Sequence, residues 1–366
     1  MTRLRPAATP CPAPRPPSTP RWAATVAAAP TSSLATSHPA ADSAAAGLAD
    51  AQCSVGADLL KAVFAPEDTG NVTVSPASAA LAPGQLDAGA RGVSRSKVDA
   101  LLHLPAWSPE VLAAYGAQRA ALAVLTQLQV SNHINADVRK DTRGLIPTLF
   151  DQPLDRSTVA VLTNALHLKA DWVTPFAAMA DAPFTTDSGT TVTAHLMSQA
   201  APDAPYRSRG GWQSVELPYV GKQLVAYAVL PPKDSTRGDV TGAMLTALTR
   251  GASTKTTEVE MPSVDLAQTH QLSDPLRALG LPEDGPVDYS GLGPQVDAIS
   301  QVVQKVVLKV DQKGTEATAA TGPAFVAGAR VLPRPLVLDR PYLLLVQDVR
   351  TGTPLVLARV GDPTRR

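Results

Sequence analysis

Residues 302–322 read VVQKVVLKVDQKGTEATAATG, and the fold prediction starts from this stretch. Val302 to Val310 is rich in β-branched and apolar residues, which predicts a strand. Gly314 to Gly322 then contains only Thr, Ala and one Glu between its two glycines, and no bulky side chain occurs before Phe325. Side chains this small suit a segment that becomes a strand inside a sheet, where alternate residues face the core. Those core-facing residues would be Thr315, Ala317, Ala319 and Thr321. The alternative is a flexible Ala- and Thr-rich linker.

Outward from this stretch, helical patterns dominate the first part of the chain and strand patterns the rest. Helices are predicted at Val55 to Phe64, Ser94 to His103 and Glu110 to Gln129. Strands are predicted at Thr158 to Lys169, Val215 to Tyr219, Leu224 to Leu230, Thr257 to Met261, Leu343 to Val346 and Leu355 to Val360. This order predicts the α+β class with a large sheet, because a doubly wound fold would alternate strands with helices.

Composition restricts the kinds of partner. The 366 residues contain 32 Lys and Arg against 32 Asp and Glu, so the formal net charge is zero. A neutral chain has no bulk field for broad binding to nucleic acid or to an anionic membrane, and neither is expected as a partner. No run of 18 apolar residues occurs in the sequence, so no membrane-spanning helix is expected.

The first 44 residues differ from the rest of the chain. The first 40 contain nine Pro and no Asp or Glu. Such a Pro- and Ala-rich segment cannot bury enough apolar surface to offset its conformational entropy, so we expect a disordered leader at 1–44 and a folded domain at 45–366. The leader carries no clear secretory signal, and its sequence leaves the compartment open.

Motifs for catalysis and for cofactor binding are missing from the sequence. It has no P-loop, no GxGxxG after a strand, no GxSxG and no HExxH. Its two Cys and six His are scattered, without the close spacing of a metal site. We therefore expect no cofactor, no metal and no enzymatic activity. The alternative from another functional class is a hydrolase with an unrecognised catalytic site.

Several motifs together resemble the serpins, in the order in which that family carries them. They are Asn71-Val-Thr-Val-Ser-Pro-Ala-Ser78, Val161-Leu-Thr-Asn-Ala-Leu-His-Leu-Lys-Ala-Asp-Trp172, Val215-Glu-Leu-Pro-Tyr219, Asp288-Tyr-Ser-Gly291, Gly314-Thr-Glu-Ala-Thr-Ala-Ala-Thr321, Asp339-Arg-Pro-Tyr342 and Arg359-Val-Gly-Asp-Pro363. One of these motifs alone would be weak, but together they cover most of residues 45–363.

The resemblance implies a large central sheet A, smaller β-sheets, a helical N-terminal half and a reactive loop at about 313–335. It implies suicide inhibition of a serine protease: the loop serves as bait, and after cleavage it inserts into sheet A with the protease attached. The expected molecule is a monomer whose partner is the target protease, and the family slightly favours an extracellular location.

The resemblance also assigns residues to roles. The hinge of the loop would be Gly314, Thr315, Glu316, Ala317, Thr318, Ala319, Ala320 and Thr321. The regions called shutter and breach, where the sheet opens, would contain Ser75, Ser78, Asn164, Trp172 and Gln304. Gln304 stands where the family usually has a histidine; its amide can bridge Ser75 and Asn164 but cannot titrate, so pH-dependent gating is expected to be lost.

Two scissile bonds remain open. Counting back from Pro341 places the cut between Arg330 and Val331, which would suit a trypsin-like protease. Counting forward from the hinge places it between Gly328 and Ala329, which would suit an elastase-like protease. The first is favoured, because Arg is a specific anchor for a pocket that contains a carboxylate.

One departure from the family pattern affects function. Residues 127–134 join the start of one strand directly to a later helix, so roughly 40 residues at usual element lengths are expected to be missing. A strand inserts only where it finds pairing partners on both sides. The alternative function is therefore a non-inhibitory binding or storage protein, or an inactive relic.

Overall fold

The computed structural model of the chain describes residues 43–63, 70–80, 84, 90–104, 139, 148, 161–167, 170–200, 204–236, 239–251, 253–255, 258–282, 301–315 and 335–365. The chain divides into two units, Met1–Ser37 and His38–Arg366, and every described residue belongs to the second. Apart from the start of a helix at Ser43, the predicted leader lies outside the described residues and stays a prediction. Among the described helices, none is long and apolar enough to cross a membrane.

The secondary structure combines a few helices with many strands. The helices with described bounds are α1 Ser43–Ala62, α2 Gly92–Leu101, α3 Gly242–Thr249 and α4 Ser273–Ala278. The strands are β1 Val72–Val74, β2 Val161–His167, β3 Ala170–Asp171, β4 Ala177–Thr185, β5 Thr191–Ala200, β6 Pro205–Arg209, β7 Trp212–Pro218, β8 Leu224–Leu230, β9 Thr254–Lys255, β10 Glu258–Pro262, β11 Val264–Gln271, β12 Gln301–Val310, β13 Gly314–Thr315, β14 Leu336–Val337, β15 Tyr342–Asp348 and β16 Pro354–Val360.

These strands form three sheets. The seven-stranded sheet has the order β1-β16-β15-β8-β7-β6-β9, and all its pairs are antiparallel. The four-stranded sheet has the order β14-β10-β5-β4. The five-stranded sheet has the order β11-β12-β13-β3, with β2 also paired to β12.

Strand β12 is the centre of the five-stranded sheet. Its even-numbered residues Val302, Gln304, Val306, Leu308 and Val310 are all buried, whereas the odd-numbered lysines of the strand are half-buried on the other face. Such alternation fits a sheet with one face on the core. One edge of β12 pairs antiparallel with β11, and the other pairs parallel with β2.

The part of the sheet beyond β2 bears on the predicted deletion. Residues 127–134 lie outside the described residues, so the loss of elements there stays a prediction. Among the described strands, β2 pairs on one edge only, with β12.

The main core lies among the three sheets and is built largely from Val and Leu. Its large aromatic members include Trp172, Phe184 and Tyr342, each at most 2% exposed. Phe184 of β4 packs edge-on against Tyr342 of β15, with ring centroids 6.4 Å apart. Each fully buried Val, Leu or Phe side chain contributes about 1.5–3 kcal/mol relative to exposure.

Residues 361–365 are held next to β1 by hydrogen bonds to the side chain of Asn71. The amide nitrogen of Asn71 donates to the carbonyl oxygens of Asp362 and Arg365, both at 2.8 Å. Its amide oxygen accepts the backbone N–H of Gly361 and of Asp362, at 2.9 and 3.0 Å. Because one side chain satisfies four backbone groups, residues 361–365 are held in a fixed path beside β1.

Candidate functional site

Strand β13 separates β12 from β3 at one end of the five-stranded sheet. Thr315 lies opposite Val310 of β12 on one side and Ala170 of β3 on the other, and Gly314 lies opposite Asp171. Farther along the sheet no strand intervenes, and β12 pairs directly with β2 over seven residue pairs. Strand β13 therefore separates β12 from β3 where the predicted hinge begins, whereas β12 and β2 are paired directly along the whole of β2.

The first hinge position has room only for glycine. A Cβ atom built on Gly314 would overlap the carbonyl group of Ala170 and the Cα of Asp171. Because these are backbone atoms, they cannot move aside as the end of a flexible side chain could. Gly314 therefore lets the two backbones approach closely enough to pair, which is one of the specific uses of glycine in a strand.

Trp172 holds the turn that leads into β13. Its indole Nε1–H donates to the carbonyl oxygen of Asp311 at 3.0 Å, and its backbone N–H donates to the carbonyl oxygen of Lys313 at 2.7 Å. The ring is 2% exposed, stacks on Tyr219 with centroids 4.3 Å apart and packs edge-on against Phe176 at 5.7 Å. The residue assigned to the breach thus packs directly beneath the start of the hinge.

Gln304 and Ser75 are joined by a reciprocal pair of hydrogen bonds. The amide oxygen of Gln304 accepts the backbone N–H of Ser75 at 2.8 Å, and its amide nitrogen donates to the carbonyl oxygen of Ser75 at 3.1 Å. Asn164 lies directly opposite Gln304 in the β2–β12 register, although its side chain is not among the described parts. Ser78 is buried close by in sequence, and the Ser75 hydroxyl is buried without a hydrogen-bond partner in the described chain.

Two residues of β11 extend this pattern along β1. The amide of Gln268 accepts the N–H of Thr73 at 2.6 Å and donates to the carbonyl oxygen of Asn71 at 2.5 Å. The Nε2–H of His270 donates to the carbonyl oxygen of Thr73 at 3.0 Å. Together with Gln304, these side chains form what we call the side-chain ladder, because they replace backbone pairing along this edge of β1. Sequence reasoning missed Gln268 and His270, whose only signal was polar residues at alternate positions.

His270 places a titratable group in the side-chain ladder. It lies directly opposite Gln304 in the β11–β12 register. Burial lowers the pKa of His270 below its usual value, and the hydrogen bond to the Thr73 carbonyl opposes this shift only in part. The non-titrating Gln304 therefore has a histidine beside it on the next strand.

The rest of the predicted loop lies outside the described residues. This holds for Arg330, Val331, Gly328 and Ala329 of the candidate bonds and for the hinge residues Glu316, Ala317, Thr318, Ala319, Ala320 and Thr321. Of the hinge, the structure describes Gly314 and the backbone of Thr315. Across the described ranges, no group of three or more His, Cys, Asp or Glu is arranged to hold a metal ion.

Comparison with known proteins agrees with these features. The family model described as Serpin (serine protease inhibitor) matches residues 104–363. Plasminogen activator inhibitor 1 of Sus scrofa is 31% identical over 251 residues, which cover 63% of this chain and 61% of that relative. The chain thus spans about three fifths of that relative's length. Leukocyte elastase inhibitor of Bos taurus is 28% identical over 377 residues, covering 86% of this chain and 99% of that protein.

Solved structures share the fold. The mouse protein-Z dependent protease inhibitor matches with a TM-score of 0.72 at 21% identity, covering 87% of this chain and 98% of that one. The thermophilic serpin Tengpin in its native state matches with a TM-score of 0.73 at 20% identity, covering 88% and 94%. These matches confirm the predicted α+β fold with its large sheet.

Proposed function

Since the chain belongs to the serpin family, we propose that it is an inhibitor of a serine protease and not a catalyst. In this proposal the segment at about 313–335 serves as a reactive loop that the protease cleaves. The freed loop then enters the five-stranded sheet as a new strand between β12 and the β2–β3 edge. The protease is carried along as an acyl-enzyme, whose ester bond is not hydrolysed because insertion distorts the catalytic site.

The position of β13 is the observation that carries this proposal. Thr315 already pairs with β12 on one side, and Gly314 and Thr315 both pair with β3 on the other, as the first residues of an inserted strand would. If both registers continue, Thr321 comes to lie opposite Gln304 of β12 and Asn164 of β2 at once. Those two residues pair directly in the uncleaved protein. Both edges of the new strand would therefore be in register over its length.

The register also assigns each loop residue to a face of the sheet. Thr315 lies opposite Val310, which is 2% exposed and faces the core. Directly opposite residues in a sheet point to the same face, so the loop residues that face inward are Thr315, Ala317, Ala319 and Thr321. All four are small. The inward hydroxyl of Thr321 would arrive on the face where the Ser75 hydroxyl is buried without a partner in the described chain.

The type of serine protease that is inhibited depends on which bond of the loop is cleaved. We favour cleavage between Arg330 and Val331 by a trypsin-like protease, because a guanidinium is bound specifically by a carboxylate at the base of a pocket. Cleavage between Gly328 and Ala329 by an elastase-like protease is the alternative. In the inhibitory proposal the protein acts as a monomer, because a single chain contributes both the loop and the sheet that receives it.

The decisive experiment is adduct formation with a trypsin-like protease. We expect a species that survives boiling in detergent and contains both chains, and we expect Arg330→Ala to abolish it. Ala329→Ser, which leaves the arginine in place, is the matched control and retains the adduct. Cleavage after Arg330 with no adduct and no rise in thermal stability of the cleaved protein would contradict the proposal.

A non-inhibitory role is the second candidate, and one observation favours it. The alignment with the bovine inhibitor extends over 377 residues, more than the 366 of this chain, so it contains gaps opposite residues of that relative. If elements that support the receiving sheet are among the missing residues, insertion of the loop slows, and the protease is released before it is trapped. A cleaved protein that gains stability without an adduct would mean that the loop inserts too slowly to trap a protease.

A further inference from the structure

The turn between β12 and β13, which Trp172 contacts from outside, is bridged from within by Asp311. Carboxylate oxygen Oδ1 of Asp311 accepts the backbone N–H of Lys313 at 2.9 Å and that of Gly314 at 3.3 Å. The backbone N–H of Asp311 donates to the carbonyl oxygen of Gly314 at 2.9 Å. The carbonyl oxygen of Asp311 in turn accepts the indole N–H of Trp172. Four hydrogen bonds at this turn therefore involve Asp311.

An aspartate at the start of a turn has a specific effect on the chain that follows. Its carboxylate bonds to N–H groups two and three residues later, which fixes the dihedral angles of the intervening residues. Hydrogen bonds to an ionised carboxylate are also stronger than those between neutral groups. The number of residues in the turn, and with it the register of the strand beyond, is thereby set.

We propose that Asp311 is a positioning residue that sets the register in which the reactive loop enters the sheet. The inference rests on the proposed function. It assigns the role to Asp311, the first residue after β12 on the way into the loop. The carboxylate takes no part in bond breaking. It acts through Gly314 and Thr315, whose pairing with β12 and β3 defines which later residues face the core.

The consequence of losing this register follows from the sequence of the loop. Residues 311–314 now connect the paired residues Val310 and Thr315. If the turn lengthened by one residue, Val310 would pair with Glu316, and every loop residue would exchange faces. The Glu316 carboxylate would then point into the core, where an unpaired charge is strongly disfavoured. Insertion in that register would stop at its first paired residue.

The test compares Asp311→Ala, Asp311→Asn and Gln312→Ala. Asparagine keeps an oxygen that can accept the same N–H groups, and Gln312→Ala alters the same turn without removing them. In the uncleaved protein we expect amide hydrogen exchange at Lys313 and Gly314 to be about tenfold faster in Asp311→Ala, as the loss of a turn hydrogen bond predicts. Gln312→Ala is expected to exchange like the parent, and Asp311→Asn to lie between the parent and Asp311→Ala, because its neutral oxygen accepts weaker hydrogen bonds than a carboxylate.

The second readout is the number of inhibitor molecules cleaved for each protease molecule trapped. We expect a rise of about tenfold in Asp311→Ala, matching the exchange effect, and a smaller rise in Asp311→Asn. Unchanged exchange in Asp311→Ala would overturn the inference, and so would faster exchange with unchanged partitioning. A parent protein that forms no adduct and gains no stability on cleavage would overturn the proposed function itself. That result is obtained with the parent protein alone, so failure of the proposed function can be distinguished from failure of the inference about Asp311.

Discussion

Replacing Gln304 by alanine tests whether the side-chain ladder supports the uncleaved state. Gln304 and Ser75 are each 1% exposed, and the amide of Gln304 bonds to both the N–H and the C=O of Ser75. Gln304→Ala would leave these two buried backbone groups without partners, at about 1–3 kcal/mol each. We therefore expect the free energy of unfolding to fall by about 3 kcal/mol. That corresponds to a decrease in Tm of less than about 6 °C, because chains of more than 250 residues shift by less than about 2 °C per kcal/mol.

The assay is urea-induced unfolding of the uncleaved protein, followed by tryptophan fluorescence. The matched control is Lys309→Ala on the same strand, whose side chain is on the opposite face and partly exposed. A surface change of this kind is expected to alter the free energy of unfolding by less than about 0.5 kcal/mol. If Gln304→Ala cost no more than Lys309→Ala, the Ser75 backbone would have other partners, and the ladder would not be a source of stability.

Three further predictions concern the hinge, the pH response and the breach. Thr315→Arg should leave cleavage intact but abolish the adduct, because a charge opposite the buried Val310 would drive Thr315 out of its pairing in the sheet and prevent the loop from following it. An adduct formed at the parental level would exclude insertion. Because the pKa of His270 is lowered in the folded protein, its contribution to the free energy of unfolding should be fully present above the unfolded pKa of about 6.5 and should be lost as the pH falls through the folded pKa. In His270→Gln, the urea midpoint should therefore depend less on pH between about pH 8 and 5. A pH dependence equal to that of the parent would contradict this. Trp172→Phe should lower the free energy of unfolding by about 1 kcal/mol through loss of the bond to Asp311, and Trp172→Ala by about 3–5 kcal/mol through the added loss of packing. An unchanged free energy in Trp172→Phe would contradict the role of the indole N–H, and equal losses in the two variants would contradict the role of packing.

The apolar strands were the most predictable part of the fold. The prediction for β8 has the observed bounds, Leu224–Leu230, and that for β12 began one residue late, at Val302. Both strands have long runs of Val, Leu and Ala, whose strand preference and burial agree. Where local preference and tertiary packing favour the same structure, the sequence is sufficient to predict the element.

The polar strands were missed for a tertiary reason. Strand β11 reads VDLAQTHQ, which lacks an apolar alternation over its second half. Its inward Gln268 and His270 are stabilised by backbone groups of β1, a segment almost 200 residues earlier in the chain. Strand β4 was missed as well, because most of its residues are exposed and carry no burial pattern. No local window of the sequence contains these partners.

The candidate site was predictable in position but not in its contacts. The motifs brought Ser75, Gln304 and Trp172 to attention, and their assigned roles remain predictions. That the Gln304 amide bonds to the backbone of Ser75, and not to its hydroxyl, follows only from the path of β1 across β12. Likewise, nothing in the sequence near Asp311 indicates that its carbonyl oxygen faces an indole 139 residues away.

The pairing of β1 with β16 has a consequence for synthesis of the protein. Asn71 reaches its partner Asp362 only after 291 further residues have been added. At about 5–20 residues per second, that interval lasts roughly 15–60 s on the ribosome. Throughout it, β1 cannot have the strand neighbour that covers one of its edges in the finished protein. The nascent chain therefore carries an unpaired, β-branched strand for tens of seconds, and we expect it to depend on chaperones during that time more than a protein whose early strands pair locally.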